Sequence, residues 1–507
     1  MAVLWIISFD WDNDNSYSYD ESASVIALSY DRGREDLFSD FLAGKAMITL
    51  QDDVRRFDPW FISSALYPNV MPGRRVRIRT REDSGIIDLA VDATDDLGAD
   101  ADTTIIAGTD YTIFEGKIAD ITPTGHIGTR RVIITAYDGL RDLNAADSQA
   151  TLQESVSTDE VITTVLDAVD WPAGDTWRDL DIGSTSLAYW WSPGGERAAG
   201  LINQIAQTEN GAFFISAAGK ARFINRINWG TAAATGALDE DNISDLVLNN
   251  PWDSVRNVIS VRCYPVQLAS SADIWQLEDA TVSIPAGDNI EIWAEYYDSN
   301  KTPVAAKDVI TPVATTDYTA NTVQGGGGSD MTASMSVAAN IYSTWCKLTI
   351  TNTHGATAFY ITLLKIRGKA IATTPTTIRR TSTSSQAIYG NRTLSIEAPW
   401  TQDVDSAIDL ATALREFYAR PRATITVALD NLLPDLLKYE LGDRVALTID
   451  SYSIAETMRI GRMTVSTGLT MQDISGTFEF EPADNTVYWL LGDVLYGILG
   501  STTTLGY

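Results

Sequence analysis

The segment 46–79 constrains the fold of this chain more than any other part of the sequence. It begins with an alternating apolar and polar run at Met47–Leu50, breaks at the acidic turn Gln51–Asp53, and continues as Arg56-Phe57-Asp58-Pro59. A Met-Pro-Gly turn then leads into a second alternating run, Arg75–Arg79. Alternation with a period of two is typical of strands with one buried face. The segment therefore predicts two strands joined by a long, turn-rich loop.

The rest of residues 1–150 also shows mainly strand patterns. The predicted strands are Val3–Phe9, Ser24–Ser29, Ile105–Ala107, Tyr111–Ile121 and Arg131–Tyr137. The apolar N-terminus lacks a basic region and a small-residue cleavage site, so we interpret it as the first strand rather than a signal peptide. Residues 82–104 are acidic and rich in Gly and Ala, which predicts an exposed inserted loop or small hairpin.

Residues 151–263 mix helix and strand patterns. Ser157-Thr158-Asp159-Glu160 precedes a predicted helix over 161–169, and Pro193-Gly194-Gly195 precedes a second over 196–209. Both carry apolar residues at helical spacing. A strand at 211–215, a Gly-Lys turn and a return strand follow.

Residues 264–372 differ in composition, since they are rich in Thr, Ala and Ser and contain a four-glycine run at 325–328. Short alternating runs separated by turns predict a β-sandwich. The strand pattern of Val255–Arg262 resumes at Thr377–Ser384, so we interpret the segment as an insertion.

Residues 373–487 return to strand patterns around one predicted helix at 403–418. A Leu-Gly-Asp turn at 441–443 leads into further strands. The last segment, 488–507, is apolar and rich in Gly and Thr. It would expose apolar surface if it stood alone, which predicts that it docks on a neighbour.

Several short motifs occur in an order that resembles one family of proteins. They are D-x-x-R-F-D-P at 53–59, G-x-I-x-D-I at 116–121, A-x-D-x-L-x-x-L at 136–143, Y-G-x-R at 389–392 and L-G-D-x-V at 441–445. In this order the chain resembles the tail-tip and baseplate hub proteins of tailed bacteriophages, both siphophage-like minor tail proteins and contractile-phage baseplate hubs. The resemblance covers about 1–260 and 375–507.

The resemblance implies a mainly β fold with α/β elements. Residues 1–150 would form a first hub-type β-barrel, 151–263 an α/β connecting domain, 373–487 a second β-barrel with its helix, and 488–507 a docking tail. The β-sandwich that the strand pattern predicts at 264–372 would be inserted between them. The insertion departs from the basic family pattern, so the resemblance does not assign its role.

The resemblance also implies a role in assembly rather than catalysis. Proteins of this kind are structural components of the virion at the distal end of the tail, and they are usually homotrimers. They form a ring around the tail channel that links the tail tube and distal tail protein to the fibre or spike. DNA would pass through the channel without specific binding.

The net charge of −30, from 67 acidic and 37 basic residues, argues against binding to the outside of DNA. Such binding needs Lys and Arg to neutralise phosphates. An acidic surface kept soluble by its charge and an acidic channel wall that repels DNA both fit this composition. The sequence has no apolar run of transmembrane length.

The sequence offers no recognisable catalytic equipment or cofactor motif, and we predict that the protein is not an enzyme. His126 and His354 are its two histidines, which rules out a three-histidine zinc site. The sequence has no G-x-S-x-G and no phosphate-binding G-x-x-x-x-G-K-[ST] loop. The carboxylate groups at 52–58 and at Asp10, Asp12 and Asp14 lie in predicted turns, where Asp commonly accepts backbone N–H bonds. A cation at the second group is the alternative.

Cys263 and Cys346 lie in strand-like runs and are too few for a disulfide framework. We predict two buried thiols, with a single bridge as the alternative.

Aromatic residues of the insertion suggest contact with glycans. The candidates are Trp275, Trp293, Tyr296 and Tyr297. Core packing is the competing interpretation of each. Two functions therefore stand beside the hub role: a host-surface glycan-binding adhesin, and a tail-associated cell-wall or polysaccharide hydrolase.

Overall fold

The computed structural model describes residues 4–81, 110–126, 128–249, 252–278, 282–430, 437–468 and 474–483. The predicted insertion at 82–104, the predicted strand at 105–107 and the predicted docking tail at 488–507 lie outside these described residues.

The first part of the chain forms strands, as the alternating patterns predict. In the segment Arg75–Arg81, the residues Val76, Ile78 and Thr80 are buried and the arginines between them are not. The strands are β1 (Leu4–Asp10), β2 (Tyr19–Asp20), β3 (Val25–Gly33), β4 (Leu42–Gln51), β5 (Arg75–Arg81), β6 (Asp110–Thr124) and β7 (Arg131–Tyr137).

Residues 140–231 then form a mixture of helices and strands. The elements are α1 (Leu140–Ala145), β8 (Asp147–Ser157), α2 (Thr158–Ala168), β9 (Arg178–Leu180), β10 (Ser186–Arg197), α3 (Ala198–Thr208), β11 (Ala212–Ile215), β12 (Ala221–Ile224) and α4 (Arg226–Thr231). The two predicted helices are confirmed as α2 and α3, which pack together around a core that includes Val165 and Ile202. The start of α2 is stabilised by Glu160, whose carboxylate accepts the N–H of Ser157 at 2.9 Å.

The middle of the chain is built from strands. They are β13 (Gly236–Asp239), β14 (Asp245–Asn249), β15 (Val258–Cys263), β16 (Val266–Leu268), β17 (Ala272–Gln276), β18 (Ser283–Ile284), β19 (Asn289–Glu295), β20 (Ala305–Ile310), β21 (Tyr318–Asn321), β22 (Met335–Ile341), β23 (Trp345–Asn352) and β24 (Phe359–Thr373).

The last part returns to strands around two helices. The elements are β25 (Thr376–Thr381), α5 (Thr383–Tyr389), β26 (Thr393–Ala398), α6 (Val404–Tyr418), β27 (Thr424–Asp430), β28 (Arg444–Ile449), β29 (Ile454–Thr467) and β30 (Ile474–Pro482). The helix predicted over 403–418 is α6, and Asp403 caps it by accepting the N–H of Ser406 at 2.8 Å.

Strands from both ends of the chain join in one 13-stranded sheet. Its order is β14-β27-β30-β29-β3-β4-β7-β6-β5-β1-β2, and β28 pairs with β29 and with β13. The join is the antiparallel pair of β3 with β29, where Tyr30 lies opposite Val465. One hydrophobic core underlies both halves and includes Phe9, Ile48 and Phe478.

The mainly β class with α/β elements is confirmed, but the expectation of two closed barrels is wrong for the described residues. No sheet there closes on itself: the pair of β3 with β29 connects the two sets of strands, and the end strands β14 and β2 of this sheet have one partner each. At this join Gly33 has φ of +139°, and a Cβ on it would overlap the carbonyl oxygen of Gly461.

The strands that precede and follow the segment predicted as an insertion are neighbours in one sheet. β15, which precedes it, pairs antiparallel with β25, which follows it. Within the segment, β24 pairs with β16, β17, β18, β20 and β21, and β19, β23 and β22 form a three-stranded sheet. Inward-facing residues of both sheets, among them Ile361 and Leu348, share one core. That this segment folds as a separate domain stays a prediction.

Candidate functional site

The long loop between β4 and β5, residues 52–74, is held by its own polar contacts. The buried carboxylate of Asp52 accepts the N–H of Phe57 at 3.2 Å, and burial raises its pKa. The guanidinium of Arg55 donates to Asp58 at 2.7 and 2.9 Å. The side chain of Ser64 donates to the carbonyl of Arg56 at 2.6 Å. Asp58 also accepts the N–H of Trp60 at 3.0 Å, so Asp52 and Asp58 bind the backbone of the turn as predicted, whereas Asp53 accepts from the side chain of Gln51 at 2.9 Å.

This ordered loop exposes large apolar side chains. The side chains of Trp60 and Ile62 are each 74% exposed. The other exposed apolar residues of the loop are Val54, Tyr67 and Met71. Because Phe57 and Leu66 anchor the loop in the core, the apolar side chains are presented on a fixed frame. Clustered apolar exposure on an ordered frame is typical of a contact surface for another protein. We call residues 52–74 the apolar loop.

The arginine row of β5 is occupied by contacts within the chain. Arg79 and Arg81 both pair with Asp110. The guanidinium of Arg75 lies 4.8 Å from the ring centroid of Trp177, and that of Arg77 lies 4.2 Å from Tyr17. These contacts engage all four arginines of the row.

A buried ionic cluster links the two ends of the chain. Glu481 of β30 accepts from Arg34, which follows β3, at 3.0 Å, and from Arg459 of β29 at 3.3 Å. The guanidinium of Arg459 lies 3.7 Å from the ring centroid of Trp229. Burial, with repulsion from Arg34, lowers the pKa of Arg459 to about 10. Sequence patterns cannot reveal this cluster, because its members are up to 447 residues apart.

The cluster borders a cleft of about 440 Å³ between the large sheet and helices α3 and α6. Its walls include Phe41, Asn203 and Tyr418. The carboxylates of Asp40, Glu397 and Glu481 outnumber the guanidinium groups of Arg34 and Arg459 that line it. The cleft therefore has no excess of positive charge for an anion.

The N-terminal aspartates serve the backbone and neighbouring side chains. Asp10 is buried and accepts the N–H groups of Asp14 at 3.0 Å and Asn15 at 3.1 Å. Asp12 accepts from Tyr19 and Asn69, each at 2.8 Å. Within the described residues, no group of three or more His, Cys, Asp or Glu side chains could hold a metal ion.

Both histidines lie in loops between strands, His126 between β6 and β7 and His354 between β23 and β24. The Nδ1 atom of His354 accepts the N–H groups of Ala356 at 3.3 Å and Thr357 at 3.0 Å. The carbonyl of His126 accepts the N–H of Thr129 at 3.0 Å.

Cys263 and Cys346 are both buried free thiols, so the alternative of a bridge between them is wrong. They belong to different cores.

The four aromatic residues predicted to contact glycans do not form one surface. Tyr296 is fully buried, so it cannot meet a ligand. Trp275 packs against the core of the predicted insertion, and the ring of Tyr297 is covered by the amine of Lys301, 3.9 Å from its centroid. Trp293 lies on the outer face of β19 and is 60% exposed.

Two further aromatic residues, Trp345 and Tyr342, lie beside Trp293, and of these the sequence did not indicate Tyr342 for this role. Trp345 lies 4.7 Å from Trp293 between ring centroids, and Tyr342 stacks on Trp345 at 3.8 Å. Apolar residues at alternate positions of β23, Cys346 and Leu348, face the core, and this pattern indicates that Trp345 lies on the outer face of the sheet.

Among solved structures, the chain is similar to tail proteins of phage type. A tail protein from Neisseria meningitidis matches with a TM-score of 0.49 and 8% identity, over 95% of this chain and 96% of that one. A 43 kDa tail protein of prophage MuSo2 from Shewanella oneidensis matches with a TM-score of 0.48 and 9% identity, over 95% and 97%. Prophage tail protein gp18 from Listeria monocytogenes matches with a TM-score of 0.44 and 10% identity, over 96% of each chain.

No family model matches the chain, and no curated protein matches its sequence. No helix among the described residues has both the length and the apolar character needed to cross a membrane.

Proposed function

We propose that this protein is a structural subunit of a phage-type tail tip or baseplate. In this proposal it forms a homotrimeric hub ring around the tail channel at the distal end of the virion tail. The ring links the tail tube and the distal tail protein to the fibre or spike. The proposed role is assembly, without catalysis.

The apolar loop is the observation that carries the proposal. It belongs to the segment with the most specific part of the tail-tip resemblance, and it presents Trp60 and Ile62 on an ordered frame. A side chain that is three-quarters exposed contributes little to the fold of its own chain, since apolar burial is what stabilises a fold. In the ring, these side chains would be buried against a neighbouring subunit.

The charge distribution supports passage of DNA without binding. The chain carries a net charge of −30, and the most basic strand, β5, has its arginines engaged by Asp110, Trp177 and Tyr17. Counterion release from phosphates, which gives DNA affinity, needs accessible cationic groups.

The test is the mass of the full-length protein in solution, by light scattering after size exclusion, followed by electron microscopy. We expect a trimer with an open three-fold ring. The double substitution Trp60→Ser with Ile62→Ser should convert the trimer to monomer. The matched control is Trp252→Ser, which removes another exposed tryptophan and should leave the trimer intact.

A wild-type protein that stays monomeric at every concentration contradicts the ring. If that monomer also degrades a bacterial polysaccharide, the hydrolase becomes the better assignment. Equal effects of the double substitution and the Trp252 control would show that the apolar loop has no special part in assembly.

A further inference from the structure

The outer face of the three-stranded sheet β19-β23-β22 carries a row of aromatic rings at one end. Trp293 lies beside Trp345, and Tyr342 stacks on Trp345 with an interplanar angle of 26°. We call Tyr342, Trp345 and Trp293 the aromatic row. The opposite face of the same strands supplies Ala294, Cys346 and Leu348 to the core, so the row points away from the core.

The backbone that carries the row is held by hydrogen bonds on all sides. The N–H of Tyr342 donates to the carbonyl of Trp345 at 2.9 Å across the turn between β22 and β23. The next two residues of the turn, Ser343 and Thr344, accept from Ala306 and Tyr296, each at 2.9 Å. The rings therefore stand on a fixed base, and a ligand would meet them with little ordering cost.

The surroundings of the row are polar and include an ion pair. Lys347 lies opposite Trp293 in the sheet and opposite Asn340 on its other side. The amine of Lys347 pairs with Glu291 at 2.7 Å and lies 5.5 Å from the ring centroid of Trp293. Glu295 lies opposite Trp345. Amide, carboxylate and amine groups thus border an apolar strip of three aromatic side chains.

This chemistry selects among partners. A protein interface of ordinary size buries a broad patch with an apolar centre, which three rings bordered by charged groups do not supply. The C–H faces of a pyranose ring stack on an aromatic ring, whose π face is electron-rich, while its hydroxyls need amide and carboxylate partners at the border. The two glutamates and the acidic chain disfavour an anionic sugar polymer.

We propose that the aromatic row binds an uncharged hexose-based glycan. This inference does not depend on the proposed hub ring, because the aromatic row lies on the predicted insertion and uses no residue of the apolar loop.

The experiment is isothermal titration calorimetry of the full-length protein with maltohexaose, cellohexaose and the neutral, fully N-acetylated chitohexaose, each up to about 10 mM. We expect at least one of these oligosaccharides to bind. Trp293→Ala should weaken that binding by at least about tenfold, since an exposed stacking residue is lost. Trp345→Phe keeps a ring at the centre of the row and should weaken it less.

Two controls separate recognition from general damage. Trp252→Ala removes another exposed tryptophan and should leave glycan affinity unchanged. Tyr296→Phe alters a fully buried aromatic residue of the same core and should also leave glycan affinity unchanged.

Three results would overturn the proposal. The first is the absence of binding by all three oligosaccharides. The second is stronger binding of polysialic acid, an anionic glycan, than of any neutral one. The third is a loss of self-association in Trp293→Ala without any glycan binding, which would make the row a contact between protein copies.

Discussion

The buried cluster of Glu481 with Arg34 and Arg459 gives the sharpest prediction about what holds the two ends of the chain together. The side chains of Glu481 and Arg459 are 6% and 5% exposed, and that of Arg34 is 14% exposed. Glu481→Gln keeps the size of the side chain and removes its charge. Two guanidinium groups are then left buried beside each other without a carboxylate.

Breaking a buried ion pair by removing one partner costs about 3–5 kcal/mol, because the remaining charge is desolvated without compensation. We take the lower end, about 3 kcal/mol, since the glutamine oxygen still accepts one hydrogen bond. Opening of β29 and β30 should then be favoured by roughly a hundredfold, at a factor of ten for each 1.4 kcal/mol.

The assay is hydrogen exchange followed by mass spectrometry on peptides from β29 and β30, which reports local opening even when the whole chain does not unfold in one step. Peptides from β23 in the insertion should exchange as in the wild type. Asp147→Asn is the control, because its pair with Arg197 is solvent-exposed and should contribute little. An exchange rate in β29 and β30 within about threefold of the wild-type rate would correspond to less than about 1 kcal/mol of opening free energy and would refute this prediction.

Three further predictions concern the fold and its thiols. Burial raises the pKa of Asp138 to about 7, so its contribution to stability is present below about pH 4 and lost as the pH rises to about 7. Between these pH values the free energy of unfolding, measured in urea, should fall by up to roughly 4 kcal/mol less in Asp138→Asn than in the wild type. Gly33→Ala should lower the melting temperature measured by calorimetry, since its Cβ would overlap Gly461 at the join of the sheet. Cys263 and Cys346 should react with a thiol reagent only after unfolding, because both are buried and burial raises the pKa of Cys346 to about 11.

The sequence predicted local structure well wherever one face of an element is buried. The alternation of Val76 and Ile78 with arginines indicated β5, and the apolar spacing around Val165 indicated α2. These patterns report which face meets a core, and that is a property of the element itself.

Closure and pairing of sheets depend on contacts that no local pattern contains. The alternation in β3 and β29 says that each is a strand, but their pairing brings together residues more than 400 positions apart. For this reason two separate barrels were expected where the described residues form one open sheet over a shared core. The role of Glu481 escaped prediction for the same reason.

The aromatic residues show where composition misleads and topology decides. Tyr296 and Trp293 are three positions apart and both looked like ligand contacts, yet one is fully buried and the other is 60% exposed. Trp293 lies within β19, where its neighbour Ala294 faces the core, whereas Tyr296 follows the strand and turns inward. The partner that completes the row, Trp345, comes from β23, and only the pairing of β19 with β23 places the two rings side by side. The sequence can therefore indicate single aromatic residues, but only the register of the strands shows which of them lie side by side.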